Sequence, residues 1–315
     1  MFKNMEYVYA VYKAGSFSQA AEELFISQPC LSAMIKKVEK NLGVPIFDRK
    51  SKPLCLTEYG EKYISYIEKQ QQLERELEQY LNDVRGLKEG KLSLGANHVF
   101  ASYILPNLIH NFKSRYPKID VHIVEGNIYF FEDALLNGTV DLFVDNCKMD
   151  SSLYSQHVIG TEQMLLAVHK SLPVNSLLKG HCLSHNDILS GIHKKNTIPF
   201  VSAKAFANTS FITLRTGNDT RARLEDIFNK TGATLNVQLE VDQLATAYNI
   251  SCNGLGATCV SDTLLYNTPL QKDMCYYRLP NDVATRPIYL YHKRSRYVTL
   301  AMQKFIDTAL LDKKN

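Results

Sequence analysis

Gln28 and Ser32 stand four residues apart, and Lys36 and Lys37 follow one turn later. On a helix that spacing puts an amide and a hydroxyl on one face, where they suit the donors and acceptors of base edges in a major groove. The two lysines are better suited to phosphates, which respond to charge and carry no sequence information. Arg49, Lys50 and Lys52 lie further on in DRKSKPLCLT, a hairpin-like segment that could reach a duplex backbone or its minor groove. Ser27 and Pro29 complete the set. Ser27 is a good N-cap, and Pro29 sits in a first turn, where an amide donor has no intrahelical partner to lose. Residues 27–57 carry six Lys/Arg against two acids, a local excess equal to the +4 of the whole chain. An ordinary solvated helix pair with scattered lysines is the plainer reading. It leaves the agreement of periodicity, capping and basic turn unexplained.

These side chains need two helices and a turn to position them. Ser16 and Gln19 have the S-x-x-Q spacing of a reciprocal capping box, which predicts a helix from about 18 to 25. Ala20, Ala21 and Leu24 give it a small apolar face that allows a second helix to cross closely. Leu31, Ile35 and Val38 recur at i, i+4 and i+7 on that second helix, and Gly43 ends it. Two helices, a polar turn and a basic Lys/Pro segment predict an all-α winged helix-turn-helix over 1–60, with double-stranded DNA as its partner.

The segment resembles the N-terminal domain of LysR-type transcriptional regulators. Their pattern of GSFS-x-AA, SQP-x-LS, LG-x-x-LF-x-R and LT-x-x-G is matched by residues 15–18 with Ala20 and Ala21, and by 27–32, 42–49 and 56–60. The resemblance covers essentially the whole chain and is most specific in the first 60 or so residues. The family often carries a basic residue directly after the LS of the recognition helix. Here Ala33 and Met34 follow instead.

Residues 58–87 contain no proline. Tyr63, Tyr66, Gln70, Leu73, Leu77, Tyr80, Val84 and Leu87 alternate spacings of three and four, a heptad seam. Residues 58–83 carry seven acids and three bases, so this helix should not lie along DNA. It is read as a linker and dimerisation helix over 58–88, the alternative being an amphipathic helix packed on its own chain. A dimer would space two recognition helices on a partly palindromic operator.

The chain's 315 residues suggest two to three domains, and 45% hydrophobic with 22% charged residues suits globular cores. Acidic and polar residues interrupt the start, so no secretory leader is expected. No stretch approaches the ~18 apolar residues of a membrane span. Seven cysteines without a CxxC favour a reducing cytoplasm over a disulfide scaffold. From 91 onward, strand-like and helix-like patterns alternate. A helix is expected over 103–116, strands in IDVHIVEG, TVDLFVDN, EQMLLAVHK, FITLR and LNVQLEV, and a helix over 219–229. That alternation predicts an α/β fold with mainly parallel sheets.

By resemblance, 91–315 is an effector-binding domain built like a two-lobed periplasmic binding protein. Lobe I would hold about 91–160 plus 268–315, and lobe II about 161–267. Residues 177–208 are longer and more polar than the second lobe needs, and would be peculiar to a subgroup. The ligand should lie where strands end and helices begin, because free amides favour an anion there. Three corners qualify: Asn97, His98 and Ser102; Asn127 and Ile128; Thr216 and Asn218, with Gly217, Asp219 and Thr220 between and after them. By resemblance they face each other across a cleft and bind a small effector, often a carboxylate. The bland reading is that Asn, Ser and Thr are simply good N-caps.

Other features carry less. His181, His185 and His193 lack a supporting set for zinc, and Cys252 and Cys259 read as small apolar packing residues rather than a redox pair. No cofactor is implied. No nucleophile–base pair stands at recognisable spacing, so an enzyme is not expected. The sequence therefore points to a sequence-specific transcription regulator acting as a homodimer or homotetramer. The alternative is a small-molecule binding protein whose helical head contacts protein partners.

Overall fold

A computed structural model describes residues 4–51, 53–84, 90–195 and 198–312. The chain forms two compact units, Met1–Leu81 and Asn82–Asn315.

The first unit contains α1 (Met5–Ala14), α2 (Phe17–Glu23), α3 (Gln28–Leu42), a two-strand wing of β1 (Phe47–Asp48) and β2 (Cys55–Leu56), and the start of α4 (Glu58–Val84). The wing is antiparallel, with Phe47 opposite Leu56. Val8, Val11, Ala20, Ala21, Leu31, Ile35 and Val38 meet Ile46, Phe47, Tyr63, Ile64 and Ile67 in one core. Small Ala20 and Ala21 let α2 and α3 cross there, as their spacing implied. Ser16 Oγ accepts the Gln19 amide, but the Gln19 side chain donates to Glu23 at 3.2 Å instead of returning to the cap. The expected box is therefore half formed. The helix also stops two residues early, because Phe25 takes a left-handed φ of +55°. Gly43 closes α3 at φ +75°, a conformation that suits glycine.

The helix α4 continues past the core. Tyr63 is buried against the unit's own core, so the first position of the heptad seam is used within the chain. Beyond Ile67, the apolar side chains of Leu73, Leu77, Tyr80 and Leu81 are exposed, with Leu73 at 66%. The Val84 side chain and Leu87, the last two seam positions, lie outside the described residues.

The second unit runs β3 (Gly90–Ala96), α5 (His98–Tyr103), α6 (Leu105–Arg115), β4 (Ile119–Glu125), α7 (Ile128–Leu136), β5 (Leu142–Asp145) and β6 (Tyr154–His169). Then come α8 (His185–Leu189), β7 (Ser210–Leu214), α9 (Asp219–Lys230), β8 (Asn236–Val241), α10 (Leu244–Cys252), β9 (Thr258–Ser261) and α11 (Asp262–Leu265). It closes with β10 (Met274–Arg278), α12 (Asn281–Ala284), β11 (Thr285–Lys293) and α13 (Leu300–Asp312). The helix expected over 103–116 is α6, which starts two residues later with Pro106 in its first turn and follows a separate short helix, α5.

The strand β6 organises this unit. Its first ten residues pair antiparallel with β11, and its last six pair with β10 and β9. The strand read at EQMLLAVHK is thus the second half of a 16-residue strand that passes from one lobe to the other. The sheet is mixed. Parallel pairing joins β3 to β4 and β5, and separately β7 to β8, while the strands that link the lobes are antiparallel. Because β10 pairs with Leu165–His169, residues 274–278 lie with the second lobe, and the return to the first falls at β11 rather than near 268. Gly95 on β3 lets the Phe131 ring lie against the backbone, where a Cβ would overlap it.

Cys182 and Cys275 are joined in a disulfide, with Cα atoms 5.2 Å apart. The sequence favours a chain without a disulfide scaffold, and the other five cysteines are free. Two cysteines far apart in sequence become neighbours when Leu183 bridges Tyr276. Among the described residues, no helix is long and apolar enough to cross a membrane.

Candidate DNA interface and interlobe site

The two faces of α3 differ sharply. Leu31, Ile35 and Val38 are buried, while Gln28, Pro29, Lys36 and Lys37 are exposed. Ser27 Oγ accepts the Cys30 amide at 3.4 Å and so serves as the cap. Ser32 is half-buried.

Arg49 behaves differently from the expected free cation of a wing. Its Nη2 donates to Glu39 Oε2 at 3.1 Å, its Nη1 donates to Ser32 Oγ at 3.3 Å, and its guanidinium stands 5.0 Å from the centre of the Phe17 ring. Glu39 Oε1 in turn accepts the amides of Ile46 at 2.9 Å and Phe47 at 3.3 Å. The pair ties the wing to α3 and α2. The missed signal was positional: Glu39 extends the i, i+4 series of Leu31 and Ile35, where an acid needs partners. Lys50 is exposed on the wing. Neighbouring Asp48 is held below the usual carboxylate range by the Ser51 hydroxyl and the Lys50 amide. Lys52 lies outside the described residues.

In the second unit, the three asparagine corners are all caps. Asn97 accepts the Phe100 amide at 3.1 Å, Asn127 accepts the Phe130 amide at 3.0 Å, and Asn218 accepts the Thr220 amide at 2.9 Å. Asn97 also donates to Asp145 Oδ2 at 2.9 Å. Burial raises the Asp145 carboxyl above its ordinary range, although the Cys147 amide and Asn97 oppose the shift. His98 faces Glu125 at 3.1 Å, both partly exposed. Ser102 and Thr216 are exposed. Ile128 packs on the cluster around Phe131 and Tyr291, so its side chain serves the core.

What links the corners is a group that the sequence reading missed. Arg286 on β11 lies directly opposite Glu162 on β6, at the point where both strands pass between lobes. Its Nε donates to Glu162 Oε1 at 2.6 Å, and its Nη1 donates to Asp219 Oδ2 and Thr220 Oγ1, each at 3.0 Å. Asn146, beside Asp145, also donates to Glu162 Oε1. Glu162 Oε2 is buried without a hydrogen-bond partner among the described residues. Burial disfavours the Arg286 charge, but Glu162 and Asp219 outweigh that cost and raise its pKa. Across the same opening, the Tyr129 hydroxyl stands 3.5 Å from where a Cβ on Gly217 would lie, so a first-lobe tyrosine meets the second-lobe corner. The signal for this group was weak: a charge at each end of otherwise apolar strand patterns.

A further concavity of about 480 Å³ lies between α5, α6, the crossover near Gly160 and α11. Lys194 at its edge donates to Asp262 Oδ2 at 3.0 Å, and His193 approaches the same oxygen at 3.1 Å. The histidines weighed for zinc are separated in role. His185 is buried against the Leu265 carbonyl, and His193 against Asp262.

A helix-turn-helix with a wing, a long acidic helix and a two-lobed α/β unit define a DNA-binding regulator with a ligand-binding domain. Comparison with known proteins agrees. The model for the bacterial regulatory helix-turn-helix protein, lysR family, matches residues 2–61, and that for the LysR substrate binding domain matches 85–183 and 197–311. The chain belongs to the LysR family of transcription regulators, and its function is DNA-binding regulation rather than enzymatic catalysis. It is 28% identical over 313 residues to the uncharacterized HTH-type transcriptional regulator YcgK of Bacillus subtilis (strain 168), covering 97% of this chain and 92% of that one. Full-length CbnR, solved in complex with its target DNA, superposes with a TM-score of 0.69 at 19% identity over 99% of each chain. The regulatory domain of CcmR from Synechocystis PCC6803, solved with 2-PG, gives 0.59 at 17% identity over 72% of this chain and 99% of that one. Residues 184–196, which the family match skips, fall in the stretch read as peculiar to a subgroup.

Proposed function

We propose that α3 reads a partly palindromic operator, with Gln28 and Ser32 toward base edges and Lys36, Lys37 and Lys50 on phosphates. The observation that carries this reading is the division of α3 into one buried apolar face and one exposed face bearing Gln28, Lys36 and Lys37. Arg49 takes the role of a positioning tie. The exposed Leu73, Leu77 and Tyr80 of α4 pair with a second copy, giving a homodimer or a dimer of dimers. The working compartment is the cytoplasm, where the DNA is.

The interlobe opening takes the effector, a small carboxylate. In this reading Asn97, Asn127, Thr216 and Asn218 help to hold it, and the head of α9 supplies amides suited to an anion. Arg286 is already paired, so a carboxylate binds by exchanging with Asp219 on Nη1, which releases the head of α9. Effector control then follows from unequal affinity for the paired and released arrangements. The neighbours CbnR and CcmR, solved with target DNA and with 2-PG respectively, support both halves of the reading.

The test is selection of bound duplexes from a genomic pool at near-physiological salt, with and without candidate carboxylates. Recovery of a partly palindromic site whose occupancy changes with one carboxylate is expected. Recovery of asymmetric or random sequences under every condition contradicts the reading.

A further inference from the structure

We propose that Cys182 and Cys275 form a reversible thiol–disulfide site that low-molecular-weight disulfides oxidise and low-molecular-weight thiols reduce. The proposal rests on the cytoplasmic reading above, because a disulfide in a reducing compartment is usually transient or regulatory.

Three observations support it. Cys182 is an exposed residue whereas Cys275 is buried, so an external thiol or disulfide meets the bond from the Cys182 side. Lys179 stands three residues before Cys182 in the sequence, and a lysine near a cysteine favours the thiolate that performs exchange. The two residues are also held together without the bond. The Leu183 amide donates to the Tyr276 carbonyl at 2.9 Å, and the Tyr276 amide donates back to Leu183 at 2.9 Å. That backbone bridge sits immediately beside the cysteines and keeps them adjacent after reduction, so the bond reforms without refolding.

The free thiols of the unit are poorer candidates. Cys252 and Cys259 are unbonded, and burial pushes the Cys259 thiol up to about 12. Burial raises Cys252 and Cys147 as well. The exchange balances as follows. The Cys182 thiolate attacks one sulfur of a disulfide RSSR and expels RS⁻, leaving Cys182 as a mixed disulfide. The Cys275 thiolate then attacks Cys182 Sγ and expels the second RS⁻. Two protein thiols are oxidised, and one RSSR is reduced to two RSH. The bond spans 93 residues, a segment that includes β7, α9, β8, α10 and β9. It also sits at the root of residues 184–196, the segment outside the family match. Oxidation therefore fastens the second lobe and its added segment to the edge strand β10.

The test equilibrates the full chain with graded mixtures of reduced and oxidised glutathione, traps free thiols with an alkylating agent and maps each cysteine by peptide mass. Cys182 and Cys275 should pass together from alkylated to bonded across a window of ratios, while Cys30 and Cys55 stay free of that pairing. The melting temperature of the second unit should fall by roughly 5–15 °C on reduction. Cys182→Ser, at an exposed position, should abolish that difference, and Cys275→Ala should leave a single glutathione on Cys182. Independent alkylation of the two cysteines in every mixture overturns the proposal. So does a bond that never opens in the fully reduced mixture, or a melting difference that survives in Cys182→Ser. None of these measurements involves DNA or effector, so failure of the regulatory reading would leave them intact.

Discussion

Arg286 donates to Asp219 at 3.0 Å while it also holds Glu162, its cross-strand partner, at 2.6 Å. One buried guanidinium thus ties the crossover strands to the head of a second-lobe helix. Removing it would strand the Glu162 carboxylate. Arg286→Met should cost about 3–5 kcal/mol of stability in the second unit, because an unpaired buried charge remains. The double variant Glu162→Gln with Arg286→Met should recover a large part of that loss. Urea unfolding of the four corners of this cycle checks the coupling. Asp219→Asn should be milder, and it should tighten binding of a carboxylate effector.

The outer face of α3 separates readout from charge. Gln28→Ala should relax preference at one or two base pairs by ~1–3 kcal/mol. Replacing Lys36 and Lys37 with Ala should instead weaken binding to all duplexes and reduce the salt slope by about 2. Titrations of matched and mismatched duplexes at several salt concentrations distinguish the two. An untouched preference in Gln28→Ala would mean that another part of α3 faces the bases.

Arg49 should act through position rather than charge. Arg49→Ala removes the tie to Glu39, at a cost of about 0.5–1 kcal/mol in the first unit because the pair is partly solvent-exposed. Its effect on DNA affinity should come with little change in salt slope, whereas Lys50→Ala should lower the slope by about 1. Thermal unfolding and salt titration of both variants make the comparison.

Acid should weaken the second unit through a stacked histidine pair. The rings of His157 and His292 lie 5.6 Å apart, and burial holds both imidazoles below their ordinary pKa. Among the described residues His157 Nε2 is buried without a hydrogen-bond partner, which suits the neutral ring. With the folded pKa depressed, the unfolded chain binds more protons as pH falls through about 6.5. Stability is therefore full above that pH and declines below it. Melting curves at pH 7.5 and 5.5 should show the loss, and His292→Phe should flatten it.

The exposed stripe of α4 should carry self-association. Leu73→Lys with Leu77→Lys places charge on an apolar seam and should shift the protein to a monomer at micromolar concentration, as read by sedimentation. The isolated helix-turn-helix core should keep its melting behaviour, because these residues lie beyond Ile67, the last α4 residue buried in it.

Local chemistry determined much of this protein from the sequence alone. Cap residues, i, i+4 periodicity and Gly43 marked α2 and α3, since each depends on neighbours within a turn or two. The same locality revealed the basic footprint and the heptad stripe, and strand–helix alternation marked an α/β unit. Tertiary structure decided what depends on distant partners. Arg49 reads as a wing cation until Glu39 and Phe17 come within reach of it. EQMLLAVHK reads as a strand by itself until pairing with β11 extends it back to Tyr154. Asn97 and Asn218 were legible as caps, but Glu162 and Arg286, 124 residues apart, were not legible as a pair. Nor were Cys182 and Cys275, separated by 93. Periodicity reports which face of an element is buried. Which distant side chain meets it there is set by sheet register and chain crossings, and a single sequence carries no local signal for either.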